Sequence, residues 1–323
     1  MLYAAGFALR ALGQLKESTQ LMQAVLDAYI SQQKWKSAAI AASNLSDTYL
    51  NIGELAQALD DARQSVKFAD LSGEGFQQFS KRSTLANTFH QVGRLAQAEE
   101  TFRQAERLLK KKRQAEHEQM LQQRRQAKWM RYKRPPRSPI LSSLQGFQYC
   151  DLLLNQGKYQ EAMIRAKRIL ATVTQHGQFL NIALAYLSMG RAYLIKAKRE
   201  NTGNFAQATD YLKRAVDGLR QAGTLHLLPS GLLGRAELYR NTGEFERARA
   251  DLDEAMRIAT RGSMGLHEAD CHLEYARLYL AQGKNEQARA SWAKAKEMIE
   301  RMGYHRRDRD VREIDEQLRA AGV

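Results

Sequence analysis

Small and apolar residues recur along this chain at fixed distances from a set of glycines. Four positions before the glycine stands Leu9, Tyr49, Phe89, Leu153, Tyr239 or Tyr279. Five positions after it stands Ala58, Ala98, Ala162, Ala208, Ala248 or Ala288. Nine after it comes Met22, Ala62, Phe102, Ala166, Leu212, Leu252 or Trp292, and twelve after it Val25, Ser65, Ala105, Ile169, Ala215, Ala255 or Ala295. Steps of about one helical turn on either side of a break predict two amphipathic helices per unit, with the glycine at the turn between them. Glycine suits that place because a helix C-terminus often requires a left-handed backbone that a Cβ disfavours. The alanine that follows is small enough to let the two helices approach closely.

The signature Gly-x-Leu/Tyr/Phe-x-x-Ala starts at Gly53, Gly93, Gly157, Gly203 and Gly243, and at Gly283 with Asn285 in the aromatic place; a degenerate copy starts at Gly13. Successive glycines lie 40, 40, 64, 46, 40 and 40 residues apart. A sustained period predicts a solenoid in which each unit packs on its neighbours, so 323 residues need no single central core. The 46-residue interval places its extra residues in Lys196–Thr202, which predicts an enlarged turn in that hairpin; the 64-residue interval places its excess after Leu109. Asp310 to Ala321 reads as a helix that caps the last apolar face. The domain boundaries expected are repeats one to three in 1–109, a basic insertion in 110–139, repeats four to seven in 140–301, and a C-terminal capping helix in 302–323.

The stretch Tyr186-Leu187-Ser188-Met189-Gly190-Arg191-Ala192-Tyr193 resembles the first half of the tetratricopeptide repeat (TPR). Ala248-x3-Leu252-x2-Ala255 and Ala288-x3-Trp292-x2-Ala295 resemble its second half. The period of 40 exceeds the roughly 34 of that repeat, and Asp70, Lys110, Arg220, Thr260 and Glu300 stand where it has Pro, so helices or connections must be longer. The resemblance implies an all-α, right-handed, TPR-like superhelical solenoid of about seven helix-turn-helix repeats. It also implies that the first helix of each unit lines a concave face. Carried over by offset from the glycine, that face comprises Asp47, Leu50 and Asn51 in unit two, Asn87, His90 and Gln91 in unit three, and Asp151 and Asn155 in unit four. It continues with Arg191 in unit five, Glu237, Arg240 and Asn241 in unit six, and Arg277 in unit seven. The amide two places before the glycine (Asn51, Gln91, Asn155, Asn241) has two readings. It is a ladder of donors and acceptors for an extended peptide, or it satisfies helix carbonyls near the turn.

Charge adds one feature to this picture. The formal net charge is +15, and residues 110–137 carry eleven Lys/Arg against Glu116 and Glu118, a local +9. The basic set is Lys110, Lys111, Lys112, Arg113, Arg124, Arg125, Lys128, Arg131, Lys133, Arg134 and Arg137. No Gly falls between 94 and 145 and no Pro before Pro135, so the second helix of unit three is predicted to run from Ala96 to about Tyr132. Pro135, Pro136 and Pro139 then turn the chain back. One reading is an anion-binding arm for nucleic acid, with Trp129 and Tyr132 stacking on bases, or for an acidic protein. The other is a solvated polar insertion.

Catalytic signatures are missing. The chain has no phosphate loop, dinucleotide-binding glycine motif, nucleophile elbow or His-Glu-x-x-His helix. Cys150 and Cys271 fall on predicted first helices as buried, inert thiols rather than a disulfide framework. His267 and Cys271 are one turn apart, but a zinc site needs three or four ligands. His90, isolated on the inner face of unit three, reads as a surface polar group. No segment has the apolar length to span a bilayer, and Met1–Leu12 reads as the first helix of a repeat rather than a signal peptide, so a cytoplasmic location is expected.

Ser142–Leu154, Ala269–Leu278 and Gly303–Asp308 are similar to the C-terminal 40-residue-repeat arrays of bacterial STAND signalling ATPases, the class that includes the maltose-type transcription activator and NACHT or NB-ARC defence proteins. That resemblance implies a sensor, in which a ligand or protein binds the superhelix and a nucleotide module elsewhere switches on an effector. The expectation is a non-enzymatic recognition module without cofactor, with a protein or peptide in its concave groove. A stand-alone scaffold, or nucleic-acid binding through 110–137, are the alternatives.

Overall fold

The computed structural model describes residues 15–126, 140–174, 179–201 and 203–322. Helix pairs recur where the glycines place them. Unit one contributes α1 (Leu15–Ser31); its expected first helix lies outside the described residues. Unit two is α2 (Trp35–Ile52) with α3 (Leu55–Ser72), and unit three is α4 (Gly75–Gln91) with α5 (Leu95–Gln126). Unit four is α6 (Ser143–Asn155) with α7 (Tyr159–Val173), and unit five α8 (Phe179–Glu200) with α9 (Ala206–Gln221). Unit six is α10 (Leu228–Asn241) with α11 (Phe245–Arg261), and unit seven α12 (Gly265–Ala281) with α13 (Asn285–Met302). A short 3-10 turn, His305–Arg307, leads into α14 (Asp308–Ala320). Among the described residues there is no strand.

The turn glycines do what their position requires. All six take positive φ, from 62° at Gly203 to 91° at Gly53. At Gly53 the reversal lets the N–H groups of Gly53 and Glu54 both donate to the Tyr49 carbonyl, at 3.0 and 2.9 Å, which closes the end of α2. The alanines five positions on are 0–1 % exposed in every unit from two to seven, so the two helices of each hairpin meet over a methyl group. Phe102, Leu212 and Leu252 on the next turn are fully buried, and each contributes roughly 1.5–3 kcal/mol of apolar burial. Trp292, in the same place of unit seven, is only part-buried, and its indole N–H donates to the Val311 carbonyl of the cap at 3.0 Å.

Two features depart from the sequence reading. The extra residues of unit five do not enlarge its turn as expected; they extend α8 to Glu200. Lys196-Ala197-Lys198-Arg199-Glu200 are good helix formers, Ala197 is buried, and Lys198 reaches Glu237 of α10 at 2.9 Å. The second departure is larger. α12 packs on α2, and the 3-10 turn packs on α4, so the array closes on itself. Leu50, Leu55 and Ala58 of unit two share one core with Leu266, Ala269, Leu273, Met302 and Tyr304. A Cβ at Gly93 would stand 2.8 Å from the Cβ and 3.0 Å from the backbone carbon of His305, so this turn glycine also makes room for the C-terminal segment.

α5 is 32 residues long, about 48 Å at ~1.5 Å per residue, against 17 for its partner α4. Its second half therefore projects beyond the hairpin, with Met120 and Leu121 exposed. Lys110 and Lys111 are exposed, Lys112 and Arg113 half-buried, and Lys112 pairs with Glu116. Arg124 and Arg125 lie on the last turn of α5. Lys128, Trp129, Arg131, Tyr132, Lys133, Arg134 and Arg137, with the expected helix end and Pro-rich turn, lie outside the described residues.

Candidate binding cavity

Closure leaves a central cavity of about 740 Å³. Its wall is built from the first helices of units two to seven and from the C-terminal segment. Asp47, Asn51, Asn87, Gln91, Asp151, Asn155, Arg191, Glu237, Arg240 and Arg277 all line it, so offset from the glycine brings these ten together. Two others are placed elsewhere. Asn241 points along its own helix, donating its amide to the Glu237 carbonyl at 2.6 Å. His90 is not a surface group but fully buried, with Arg306 and Arg307 of the C-terminal turn close enough to lower its basicity. The amide of Asn51 also donates to a helix carbonyl, that of Asp47, at 2.9 Å, which is the capping role rather than the ladder.

The charged groups of the wall are paired across units. Asp151 of α6 receives Arg191 of α8 at 2.5 Å and Arg306 of the 3-10 turn at 2.7 Å. Arg306 also donates to the Gln91 side-chain oxygen at 3.1 Å. Arg307 forks onto Asp270 of α12, with Nε to Oδ1 at 2.7 Å and Nη2 to Oδ2 at 2.8 Å. Asp310 of α14 pairs with Arg277, which also reaches Glu274, and Arg240 donates to Glu274 at 2.6 Å. Burial alone would raise the Asp151 carboxyl, but Arg306 and Arg191 outweigh it and hold it well below the usual carboxylate range. The same balance, with Arg307 and Arg277 as the cations, holds Asp310 down to about 2. Glu237, opposed by burial and favoured by Lys198 and Arg240, is also held down to about 2.

The Arg306 and Arg307 contribution is absent from the repeat pattern, because Asp151 and Arg306 are 155 residues apart in sequence. The one local signal is Gly303-Tyr304, a left-handed helix end at φ 68° followed by an aromatic that is 1 % exposed. Such a pair announces a chain that turns inward rather than a solvated cap.

Burial lowers the basicity of His90, Arg306 adds to the effect and Asp151 opposes it, so the ring stays neutral well below its ordinary range. His267, which meets Ser230 at 3.1 Å, and His272 are lowered for the same first reason. In the unfolded chain these rings take up protons near pH ~6.5, where the folded chain does not. Their contribution to stability is complete above that pH and falls as pH drops below it. The paired carboxylates add a further loss below about pH 4. Asp61, which burial pushes up to about 6, acts with the opposite sign between those limits. The His90 share is therefore read as a difference. Between pH 6.5 and 5 wild type should lose up to about 1.4 kcal/mol per pH unit relative to His90→Gln, by urea unfolding. Parallel pH profiles for the two proteins would remove this role from His90.

Among the described residues no group of His, Cys, Asp and Glu side chains could hold a metal ion. Cys150 and Cys271 are free and buried, and burial pushes the Cys150 thiol up to about 12. No described helix is long and apolar enough to cross a membrane.

The tetratricopeptide repeat family profile matches residues 233–262, from within α10 to the end of α11. A Rap protein complexed with competence and sporulation factor is similar in structure, with a TM-score of 0.52 at 10% identity, over 99% of this chain and 98% of that one. A tetratricopeptide repeat protein from Parabacteroides merdae gives a TM-score of 0.49 at 16% identity, over 98% and 97%. No curated protein sequence matches the chain. The molecule is thus an all-α, TPR-like solenoid that carries a tetratricopeptide-repeat match in its sixth hairpin.

Proposed function

We propose that this chain is a non-catalytic recognition module whose central cavity holds a peptide or a segment of a protein. The observation that carries the reading is the cavity itself. Its volume lies within the roughly 300–1,000 Å³ of sites that enclose drug-sized ligands. Its wall alternates apolar side chains (Leu50, Phe147, Leu154, Leu233, Leu273) with the amides of Asn87, Gln148 and Asn155. Its charges occur as carboxylate–guanidinium pairs rather than one sign, which suits a main chain of amide dipoles better than a polyanion. The Rap protein of similar fold, seen with competence and sporulation factor, supports the same use of the architecture.

The finer reading is that the module is the sensing array of a larger bacterial signalling or defence protein. It is supported by the similarity of Ser142–Leu154 and Gly303–Asp308 to STAND arrays and by a closed form whose ends meet. A ligand that favours one arrangement of those ends shifts the equilibrium between them.

Selection of this chain against a randomised octapeptide display library should enrich peptides that bind one per chain. Asn87→Leu with Asn155→Leu should weaken that binding by at least about tenfold, the equivalent of one lost buried hydrogen bond. Binding unchanged by the double substitution, or no enrichment at all, would overturn the cavity reading. The native polypeptide mass in its source cell tests the sensor reading separately; a species no larger than 36.7 kDa would refute it.

A further inference from the structure

The segment Tyr304–Arg307 does inside this chain what a bound ligand would do. It leaves unit seven and enters the concave side, where Tyr304 is buried and the two arginines part. Arg306 goes to Asp151 and Gln91 on units four and three. Arg307 goes to Asp270 on unit seven and, within its own segment, meets Asp310 of α14 at 3.3 Å. Asp151 and Asp270 are each carried by a helix of the array, so these receiving groups are fixed by the repeats and not by the segment that occupies them.

We propose that Asp151 and Asp270 form a receptor for two adjacent arginines, filled in this structure by the chain's own Arg306–Arg307 turn, and that a partner segment bearing an arginine pair displaces that turn.

The chemistry selects arginine. The Arg307–Asp270 contact is a two-bond fork, which a planar guanidinium makes and an ammonium does not. Asp151 sits between Arg191 and the incoming Arg306, so one cation is permanent and one is exchangeable. The turn itself is small: three residues of 3-10 helix between the Gly303 reversal and α14. Its close approach to the body depends on Gly93, which has no Cβ to strike the His305 backbone. A tethered occupant competes at an effective concentration of order millimolar, so it lowers apparent affinity for a free segment by about 10²-fold or more until it leaves. The closed form is then a self-occupied state. The inference rests on the concave face as the binding surface, but its test needs no outside ligand.

The probe is a fluorescein-labelled synthetic peptide of residues 302–310, read by fluorescence polarisation against the full chain. The Arg306→Ala/Arg307→Ala chain should bind it at least about 100-fold more tightly than wild type. The same peptide with lysine for both arginines should bind about tenfold more weakly, and adding Asp151→Asn to the variant chain should abolish binding. Gly93→Ala tests displacement without touching either arginine or either carboxylate, and it should also raise probe binding. Gly243→Ala should not, because Gly243 has a similar φ of 78° but nothing within 4 Å of its missing Cβ.

Equal binding of the probe to wild type and to both opened chains would overturn the proposal, as would binding to none of them. Hydrogen exchange on wild type decides the matter even if a variant fails to fold. The hydrogen-bonded Tyr304 and Arg307 amides should lose protection when excess unlabelled 302–310 peptide is added, and protection unchanged by the peptide would show that the turn is not displaced. A peptide library that yields no binder would sink the cavity reading while leaving these results standing.

Discussion

Asp151→Ala is expected to destabilise the chain by about 3–5 kcal/mol, the size of loss seen when one partner of a buried ion pair is removed. The carboxylate is within 2.5 Å of Arg191 and 2.7 Å of Arg306, and the side chain of Arg306 is only 7 % exposed. Removing the shared anion leaves two guanidinium groups facing each other at the cavity wall, beside a His90 that is already held neutral. Urea unfolding of the full chain reads the loss, and a value below about 1 kcal/mol would show that the pairs are solvated. The triple change Asp151→Leu, Arg191→Leu, Arg306→Met should restore much of the loss, because no unpaired charge remains. The transition should also change in shape. An open solenoid is stabilised by nearest-neighbour interfaces alone, whereas contact between units two and seven couples the ends. With the C-terminal turn held by Asp151, unfolding should be a single transition; without that tie, the turn and α14 should melt ahead of the repeats.

The part of this arrangement that local periodicity controls was legible in the chain. A glycine with an aromatic four places before it and an alanine five after it states where a helix ends, which side faces its partner and how closely the two approach. From that frame Asp47, Asn87, Asn155 and Arg240 can be assigned to one wall without coordinates. What periodicity cannot supply is the effect of a contact from outside the repeat. His90 has the offset of an inner-face residue and yet is fully buried, near Arg306 of the C-terminal turn. Asn241 shares the offset of Asn155, yet its amide turns to a carbonyl of its own helix. The C-terminal extension of α8 departs from the enlarged turn expected at Lys196–Thr202, because an interval between glycines counts residues and does not say whether they coil. Lys198 and Ala197 carry the helical answer, one through Glu237 and the other through burial. The Arg306–Arg307 turn reads in sequence as part of the C-terminal cap because both residues are charged, and their partners are visible only once the ends meet.

The junction across the basic insertion gives the other large expected effect. Phe102→Ala should cost about 3–5 kcal/mol, the range for deleting a buried aromatic. Phe102 is fully buried on α5 and stacks on Tyr149 of α6, with ring centroids 4.7 Å apart and planes 6° from parallel. Arg165 of α7 covers the Tyr149 ring at 4.0 Å and pairs with Glu106 of α5 at 2.5 Å. Glu106 in turn accepts the Leu141 backbone N–H at 3.0 Å, which fixes the chain as it re-enters unit four. Residues 110–139 separate these partners in sequence, so local chain connectivity does nothing to hold α6 against α5. The stack, the cation over it and the Glu106 carboxylate do so, together with Glu99 of α5, which receives Lys158 at 2.8 Å and Gln156 at 3.0 Å. Phe102→Leu keeps most of the apolar volume but loses the ring contact, worth about 0.5–1.5 kcal/mol beyond area, and should fall between the extremes. Ile164→Ala on α7, where the side chain is 53 % exposed, should change stability by no more than about 0.5 kcal/mol. If Phe102→Ala proved no worse than Ile164→Ala, units three and four would have to be joined by something other than this stack. The Glu99 pairs with Lys158 and Gln156 would then carry the junction.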